Sequence, residues 1–360
     1  MSFNSLHWFD LSVFIAISFS VVLNVAIIYF WNYERLIHLG LERYKAKQRI
    51  HTKETPRMGG FIMLISLWLY AIFSYETETS KIIYLILVSF IPAFLITLKE
   101  DIFHNVGPLI RLFGLLASSF LFAFCYHGAW PTIEIPYLSI VLNHWLIALI
   151  FYPLAITAIS NGMNLIDGVN GLCASAALTI MGCLLFLAHQ TNDTLLLLVI
   201  FALISVTATF LIFNYPSGRI FLGDLGAYFL GFSLAILTIL FFVRHPELPT
   251  INAILILIYP ATELIFSLSR RLLAKRSPYH ADTEHLHMKL FLVFRPNSNF
   301  KKIANALVMP VMFFLWTFPL ITLPWVFQKP FFILVAILIF IFSYVYLYFK
   351  IPNKIVHIKI

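Results

Sequence analysis

The chain has 360 residues, 61% of them hydrophobic and 11% charged, with a net charge of +8. A soluble globular domain averages about half apolar and about a quarter charged, so this composition excludes one and predicts an all-α polytopic membrane protein. The positive charge is not a nucleic-acid signal, because no basic and aromatic surface exists outside short loops.

A transmembrane helix needs about 20 apolar residues to cross a core of ~30 Å. Such runs occur near 9–31, 58–74, 82–98, 109–127, 145–160, 171–189, 194–213, 225–243, 250–268, 304–327 and 331–349. The expectation is one membrane domain over residues 1–360, a single bundle of about eleven transmembrane helices. The first run lacks the basic n-region and cleavage site of a signal peptide, and Trp31 and Tyr33 mark its end as an interface. Of the 24 basic residues, all but Lys81, Arg244 and Lys329 lie in 32–57, 99–111, 214–224, 269–302 and 350–360. The positive-inside rule places those segments in the cytoplasm, with the N-terminus outside and the C-terminus inside. Cys125, Cys173 and Cys183 all fall within predicted spans, which suits packing better than a disulfide framework.

The polar clusters sit at the ends of apolar runs, all on the side expected to be cytoplasmic. HTKETPRMGGF at 51–61 brings Lys53, Thr55, Pro56, Arg57 and the pair Gly59-Gly60 to the mouth of the second span. Close helix packing is the expectation for Gly60. Glu100-Asp101 closes the third span. Two adjacent carboxylates repel, so the pair handles a metal or a proton, or is a solvated helix end neutralised by Lys99 and Arg111. NGMNLIDGVNGL at 161–172 is the densest cluster, with Asn161, Asn164, Asp167 and Asn170 recurring every third residue. Such groups at membrane depth must be solvated, paired or used.

In FNYPSGRIFLGDLGAYFLG at 213–231, Asp224 opens the eighth span. A cap is one reading of a lone Asp there. Flanking Gly223 and Gly226, which permit close backbone approach to phosphate, favour a magnesium ligand. Glu263 lies inside a span seven residues before Arg270, two helical turns on one face, which predicts a structural ion pair. RRLLAKRSPYHADTEHLHMKL at 270–290 collects Arg270, Arg271, Lys275 and Arg276, then Asp282, His285 and His287. Basic residues and His suit a pyrophosphate and proton transfer; zinc is the rival reading of His-x-His with a nearby carboxylate.

Taken in order, these pieces resemble the polyprenyl-phosphate N-acetylhexosamine-1-phosphate transferases, the WecA-type and MraY-type enzymes of glycosyltransferase family 4. The resemblance covers about residues 51–290 and lies nearer the WecA-like side. It implies a helical bundle with a cytoplasmic active-site cleft in a bacterial inner membrane. It implies transfer of a sugar-1-phosphate from a UDP-sugar to undecaprenyl phosphate, with release of UMP. Asp224 looks like the family's magnesium ligand, with manganese as a substitute, and Phe221 like the aromatic that stacks on the uracil. Asn161, Asn164 and Asp167 match the nucleotide-site stripe. Glu100 and Asp101 fall where the family usually has Asp-Asp, and His285 and His287 fall on its His-rich loop. Three departures are Glu100 for Asp, Asn170 where many members have Asp, and Met288 in place of a third His. Lys53 also stands one residue off the MraY-type spacing.

The expected chemistry joins two anions, so the site needs a divalent cation and preorganised donors more than a strong nucleophile. On this reading Asp224 holds magnesium, and Glu100 or Asp101 completes the metal shell or takes the lipid phosphate's proton. His285, His287, Arg270 and Arg271 grip phosphates or sugar. The partners are a UDP-sugar, undecaprenyl phosphate and the bilayer, with a homodimer left open. The product would start a lipid-linked surface glycan such as O-antigen. The rival substrate is the phospho-MurNAc-pentapeptide of peptidoglycan synthesis. The rival class is a transporter or flippase, which should place ionisable groups at mid-membrane, where only Glu263 qualifies.

Overall fold

A computed structural model describes residues 11–31, 55–75, 77–134, 138–142, 144–275, 284–295 and 303–352. The helices are α1 (Leu11–Trp31), α2 (Gly59–Phe73), α3 (Glu78–Ser89), α4 (Ile91–Phe103), α5 (Pro108–Cys125), α6 (Leu138–Leu142), α7 (Trp145–Ile166) and α8 (Leu172–Gln190). They continue as α9 (Thr194–Asn214), α10 (Gly223–Arg244), α11 (Ile251–Ile256), α12 (Ile258–Leu273), α13 (Leu286–Phe294), α14 (Ala304–Ile321), α15 (Leu323–Val326) and α16 (Pro330–Lys350). The all-α expectation holds, and the chain is a multi-pass membrane protein.

Eight of the described segments are long and apolar enough to span a bilayer, or nine if α3 and α4, bent by 58° at Phe90, form one span. Pro92 explains that break, because a proline in the first turn has no N–H to offer the preceding turn. Two of the eleven expected runs take other forms. α2 has 15 residues, about 22 Å at 1.5 Å per residue, and the run at 250–268 divides at Leu257 into α11 and α12.

α10 is the axis of the bundle. It is apolar on every face, the pattern of a helix surrounded by others, and 94% of its most apolar stretch is buried. Glycines set the distances around it. A Cβ on Gly60 of α2 would lie 2.2 Å from the backbone N of Gly226 in α10, so the expected close packing at Gly60 is real. A Cβ on Gly231 would lie 2.4 Å from Ser160 Cα in α7, and one on Gly162 of α7 would lie 2.3 Å from the Pro260 carbonyl in α12. α7 is therefore pressed between α10 and α12, which brings its polar C-terminal end to the N-terminus of α10.

Candidate active site

The site begins at the first turn of α10. Leu222 stands at the N-cap position and gives no side-chain cap, so the first N–H groups of the helix need an acceptor from elsewhere. Asp101 of α4 supplies it. Its Oδ1 accepts the Asp224 N–H and its Oδ2 the Leu225 N–H, both at 2.9 Å. Gly223, at φ +77°, makes the approach feasible, since a Cβ there would lie 2.5 Å from Asp101 Oδ2. The carboxylate also meets the positive end of the helix dipole.

Two arginines complete the cluster. Arg57, just before α2, reaches Asp101 Oδ1 with Nε at 3.2 Å and Asp224 Oδ1 with Nη2 at 2.8 Å. Arg111 of α5 pairs with Asp224 Oδ2 through Nη1. Asp101 is 1% exposed and Asp224 8%. Charges so buried persist only when paired and hydrogen-bonded, as these are.

Around this cluster the loop ends are fixed by backbone and amide hydrogen bonds. Phe221 N–H donates to the Pro56 carbonyl at 2.8 Å, and Gly59 N–H donates back to the Phe221 carbonyl at 2.9 Å. The segment carrying Arg57 thus lies paired against the segment before Asp224. Asn214, at the end of α9, accepts Gly171 N–H at 2.6 Å and donates to the Ile220 carbonyl at 2.7 Å. Asn170 donates to the Pro216 carbonyl at 2.9 Å, and its own N–H meets Asn305 Oδ1 at 2.7 Å. Asn170 therefore ties its own loop to the loop before α10 and to the first turn of α14, a structural duty that suits an amide.

The remaining predicted residues divide into two groups. Asn161, Asn164 and Asp167 line the partly exposed C-terminal end of α7. Burial pushes the Asp167 carboxyl up to about 7; Arg57 opposes that shift, while Asp224 and Asp101 add to it. Asp167 therefore shares the field of the Asp101–Asp224 cluster. Glu100 points to the adjoining loop, where Oε2 accepts Val106 N–H at 2.7 Å. Phe221 is partly buried beside Asp224.

His285 and His287 stack at 5.5 Å with an interplanar angle of 9°. A Cβ on Gly168 would lie 2.3 Å from His287 Nε2, so the His-x-His segment rests on the turn that follows Asp167. Arg270 pairs with Glu284 and lies over the Tyr348 ring, while Arg271 bonds Ser267. The expected Glu263–Arg270 ion pair is corrected: Glu263 bonds His285 and Tyr344, each at 2.7 Å. Shared helix face is a weaker constraint than the packing of α13 and α16 against α12. Lys53, Arg276 and Asp282 lie outside the described residues.

Two arginines are more central than their sequence positions suggest. The signal was present in the basic side chains Arg57 and Arg111 at helix mouths facing an acidic pair, but neutralisation of Glu100-Asp101 hid their contact with Asp224. Among the described residues, no three His, Cys, Asp or Glu side chains converge as a metal-binding group. The oxygens of Asp224, Asp167 and Asn164 are nevertheless hard donors. Magnesium is commonly held by one or two carboxylates, with substrate phosphates and water completing the shell, so the donor set fits that ion in kind, and on Asp224 it would displace Arg57 or Arg111, each of which pairs with one of its oxygens.

A model of glycosyl transferase family 4 matches residues 82–242, the stretch from α3 through α10 that carries both carboxylates and the asparagine stripe. The chain is 27% identical to a probable undecaprenyl-phosphate N-acetylglucosaminyl 1-phosphate transferase of Bacillus subtilis, over 71% of this chain and 70% of that one. It is equally 27% identical to a phospho-N-acetylmuramoyl-pentapeptide-transferase of Lacticaseibacillus paracasei, over 70% of this chain and 85% of that one. An undecaprenyl-phosphate alpha-N-acetylglucosaminyl 1-phosphate transferase of Thermotoga maritima is 27% identical over 67% and 69% of the two chains. The matched stretch builds the walls of the Asp101–Asp224 cluster, and over it the chain is similar to glycosyl transferase family 4.

Proposed function

We propose that this protein transfers a sugar-1-phosphate, an N-acetylhexosamine-1-phosphate by preference, from a UDP-sugar to undecaprenyl phosphate at the cytoplasmic face of a bacterial inner membrane. The observation that carries the reading is the Asp101–Asp224–Arg57–Arg111 cluster at the N-terminus of α10. It gathers two guanidiniums and two carboxylates from four separate elements at one end of the bundle, where a lipid-borne phosphate and a soluble nucleotide can meet.

In the reaction an oxygen of the lipid phosphate attacks the β-phosphorus of the UDP-sugar. The bond from that phosphorus to the α-phosphate-bridging oxygen breaks, and UMP leaves with the electron pair. Repulsion between the anions is the main barrier, so fixed positive charge should lower it most. Arg57 and Arg111 bring that charge to the site, held in place by Asp224 and Asp101. Asp224 would hold magnesium, with Asp167 and Asn164 as further oxygen donors; the bound ion would neutralise diphosphate charge and polarise the phosphoryl oxygens. Asp101 positions Asp224 through the first turn of α10. Phe221 offers an aromatic face for uracil, and Asn161 and Asn164 offer amides to the nucleotide. Glu100, His285 and His287 frame the site beside the lipid phosphate and the sugar, and Arg270 and Arg271 supply positive charge at the same end.

The second reading, transfer of phospho-MurNAc-pentapeptide, is favoured by the match over 85% of the Lacticaseibacillus paracasei enzyme. Purified protein in liposomes containing undecaprenyl phosphate should be offered sugar-labelled UDP-GlcNAc, UDP-GalNAc, their 6-deoxy relatives and UDP-MurNAc-pentapeptide. Label entering lipid from an N-acetylhexosamine donor supports the first reading; label from the pentapeptide donor alone supports the second. No lipid label from any donor, in folded protein with magnesium present, rejects both.

A further inference from the structure

Glu263 is a carboxylate placed where carboxylates are costly. It lies in α12, 1% exposed, with Tyr344 of α16 also 1% exposed beside it. Each oxygen has one partner: Oε1 meets His285 Nδ1 at 2.7 Å, and Oε2 accepts the Tyr344 hydroxyl at 2.7 Å. An ionised carboxylate only accepts hydrogen bonds, so Nδ1 of His285 carries the proton and the tautomer is fixed from this side. The carboxylate also joins three elements, α12, the residue that opens α13, and α16.

The consequence travels from ring to ring. His285 is held in plane by Glu263, and His287 stacks on it nearly parallel, at 9°. The His287 edge then meets Gly168, where no Cβ fits. Gly168 follows Asp167 directly, and Asp167 stands at the C-cap of α7, whose last turn carries Asn164. Arg270, seven residues along the same α12, holds Glu284 next to His285 and gives the segment a second anchor.

Resting on the transferase reading, we infer that Glu263 and Tyr344 are positioning residues for that reaction: they lock the His285 ring and, through its stack on His287, hold the His-x-His segment against the turn that carries Asp167. Neither need touch substrate. A group acting this way affects the chemical step through geometry, and a misplacement of about 1 Å can cost ~10²-fold in rate. Glu263→Gln keeps the volume but presents one acceptor where two donors need two. It should lower kcat by ~30- to 100-fold, with KM for the UDP-sugar within about threefold. Tyr344→Phe removes one hydroxyl and should lower kcat by about three- to tenfold in the same pattern.

The test is a double-mutant cycle with His285→Gln, joined to a spectrum that does not depend on turnover. If Glu263 acts through His285, adding Glu263→Gln to His285→Gln should cost little more than His285→Gln alone. Losses that multiply would overturn the inference, because they mark an independent, merely structural role. Should Glu263→Gln fail to fold, the Tyr344→Phe cycle carries the same test. In solid-state 15N spectra of histidine-labelled protein in liposomes, the resonance lost in His285→Gln should report a protonated Nδ1. That resonance should move in Tyr344→Phe and in Glu263→Gln; an unmoved resonance overturns the proposed lock. If wild-type protein transfers no phosphosugar at all, the functional reading fails, while the spectrum still decides whether Glu263 orients His285.

Discussion

α10 carries a carboxylate–arginine cluster at each end, and the two are built differently. Far from the site, Asp193 caps α9 by accepting Leu196 N–H at 3.1 Å. The same carboxylate binds Arg244 through Nε at 2.6 Å and Nη2 at 3.0 Å, and His245 Nε2 at 2.9 Å. Every partner belongs to the α8–α9 corner or to the end of α10, so the cluster is a staple between neighbours with its single buried carboxylate saturated. At the other end stand two buried carboxylates and a third nearby, Asp167, and the arginines that pair with Asp224 lie 167 and 113 residues from it in sequence. Around them Glu100, Asn161, Asn164 and Asp167 stay partly exposed. One end spends its charge on local fit, while the other keeps polar groups in reach of a ligand. Buried ion pairs are thus a poor marker of function by themselves. What separates the ends is the convergence of distant elements, with buried carboxylates from two helices at one end and a single one at the other.

Neutralising one carboxylate at each end should affect the two clusters differently. Asp224→Asn should lower kcat by ~10²–10³-fold, as loss of a major electrostatic contributor does, and should also cost stability, because Arg57 and Arg111 lose a buried partner. Near-normal turnover would reduce Asp224 to a helix-end charge of the Asp193 kind. Phe221→Leu should have the next largest effect. Loss of aromatic–base stacking, worth ~1–3 kcal/mol, should raise KM for the UDP-sugar by roughly ten- to a hundredfold and change kcat less. Steady-state kinetics over a range of UDP-sugar concentration decide it; a fall in kcat alone would make Phe221 a packing residue for Asp224.

How much of this was legible without coordinates depends on the range of the interaction. Periodicity and apolar length gave the spans, because they depend on residues within one helix. The close approach at Gly60 and the place of Asp224 at a helix start were readable for the same reason. The cap that Asp101 provides to α10 was not, since it pairs residues more than 120 positions apart and replaces a local cap that Leu222 lacks. Arg57 and Arg111 were visible as basic residues at helix mouths, but sequence order does not say which helix ends meet. Glu263 shows the limit most plainly. Its helical face pointed to Arg270, whereas chain packing delivered His285 and Tyr344.

The smallest effect is expected at the far end. Asp193→Asn should cost about 1.5–3 kcal/mol of stability, the range for hydrogen bonds to charged groups, with kcat within about twofold of wild type. Burial raises the Asp193 carboxyl, but the Arg244 hydrogen bond, the Leu196 N–H and His245 together hold it below its ordinary 3.8. The sign follows: a depressed carboxylate contributes fully above the ordinary range and loses its contribution as pH falls through the folded value. Thermal unfolding should therefore separate wild type from Asp193→Asn at pH 7, and the gap should begin to narrow as pH falls below about 4 and close only below the depressed folded value. A gap independent of pH would assign the loss to packing.

In the proposed reaction, phosphorus moves to the lipid with the sugar. This is tested most directly with the accepted UDP-sugar labelled with 32P in the β-phosphate and tritium in the sugar, incubated with purified protein and undecaprenyl phosphate in liposomes. Both labels should enter the lipid in the donor's own ratio, with one UMP released for each lipid product. Tritium entering the lipid without 32P, accompanied by release of UDP, would show transfer of sugar alone and contradict a phosphosugar transferase built on Asp224.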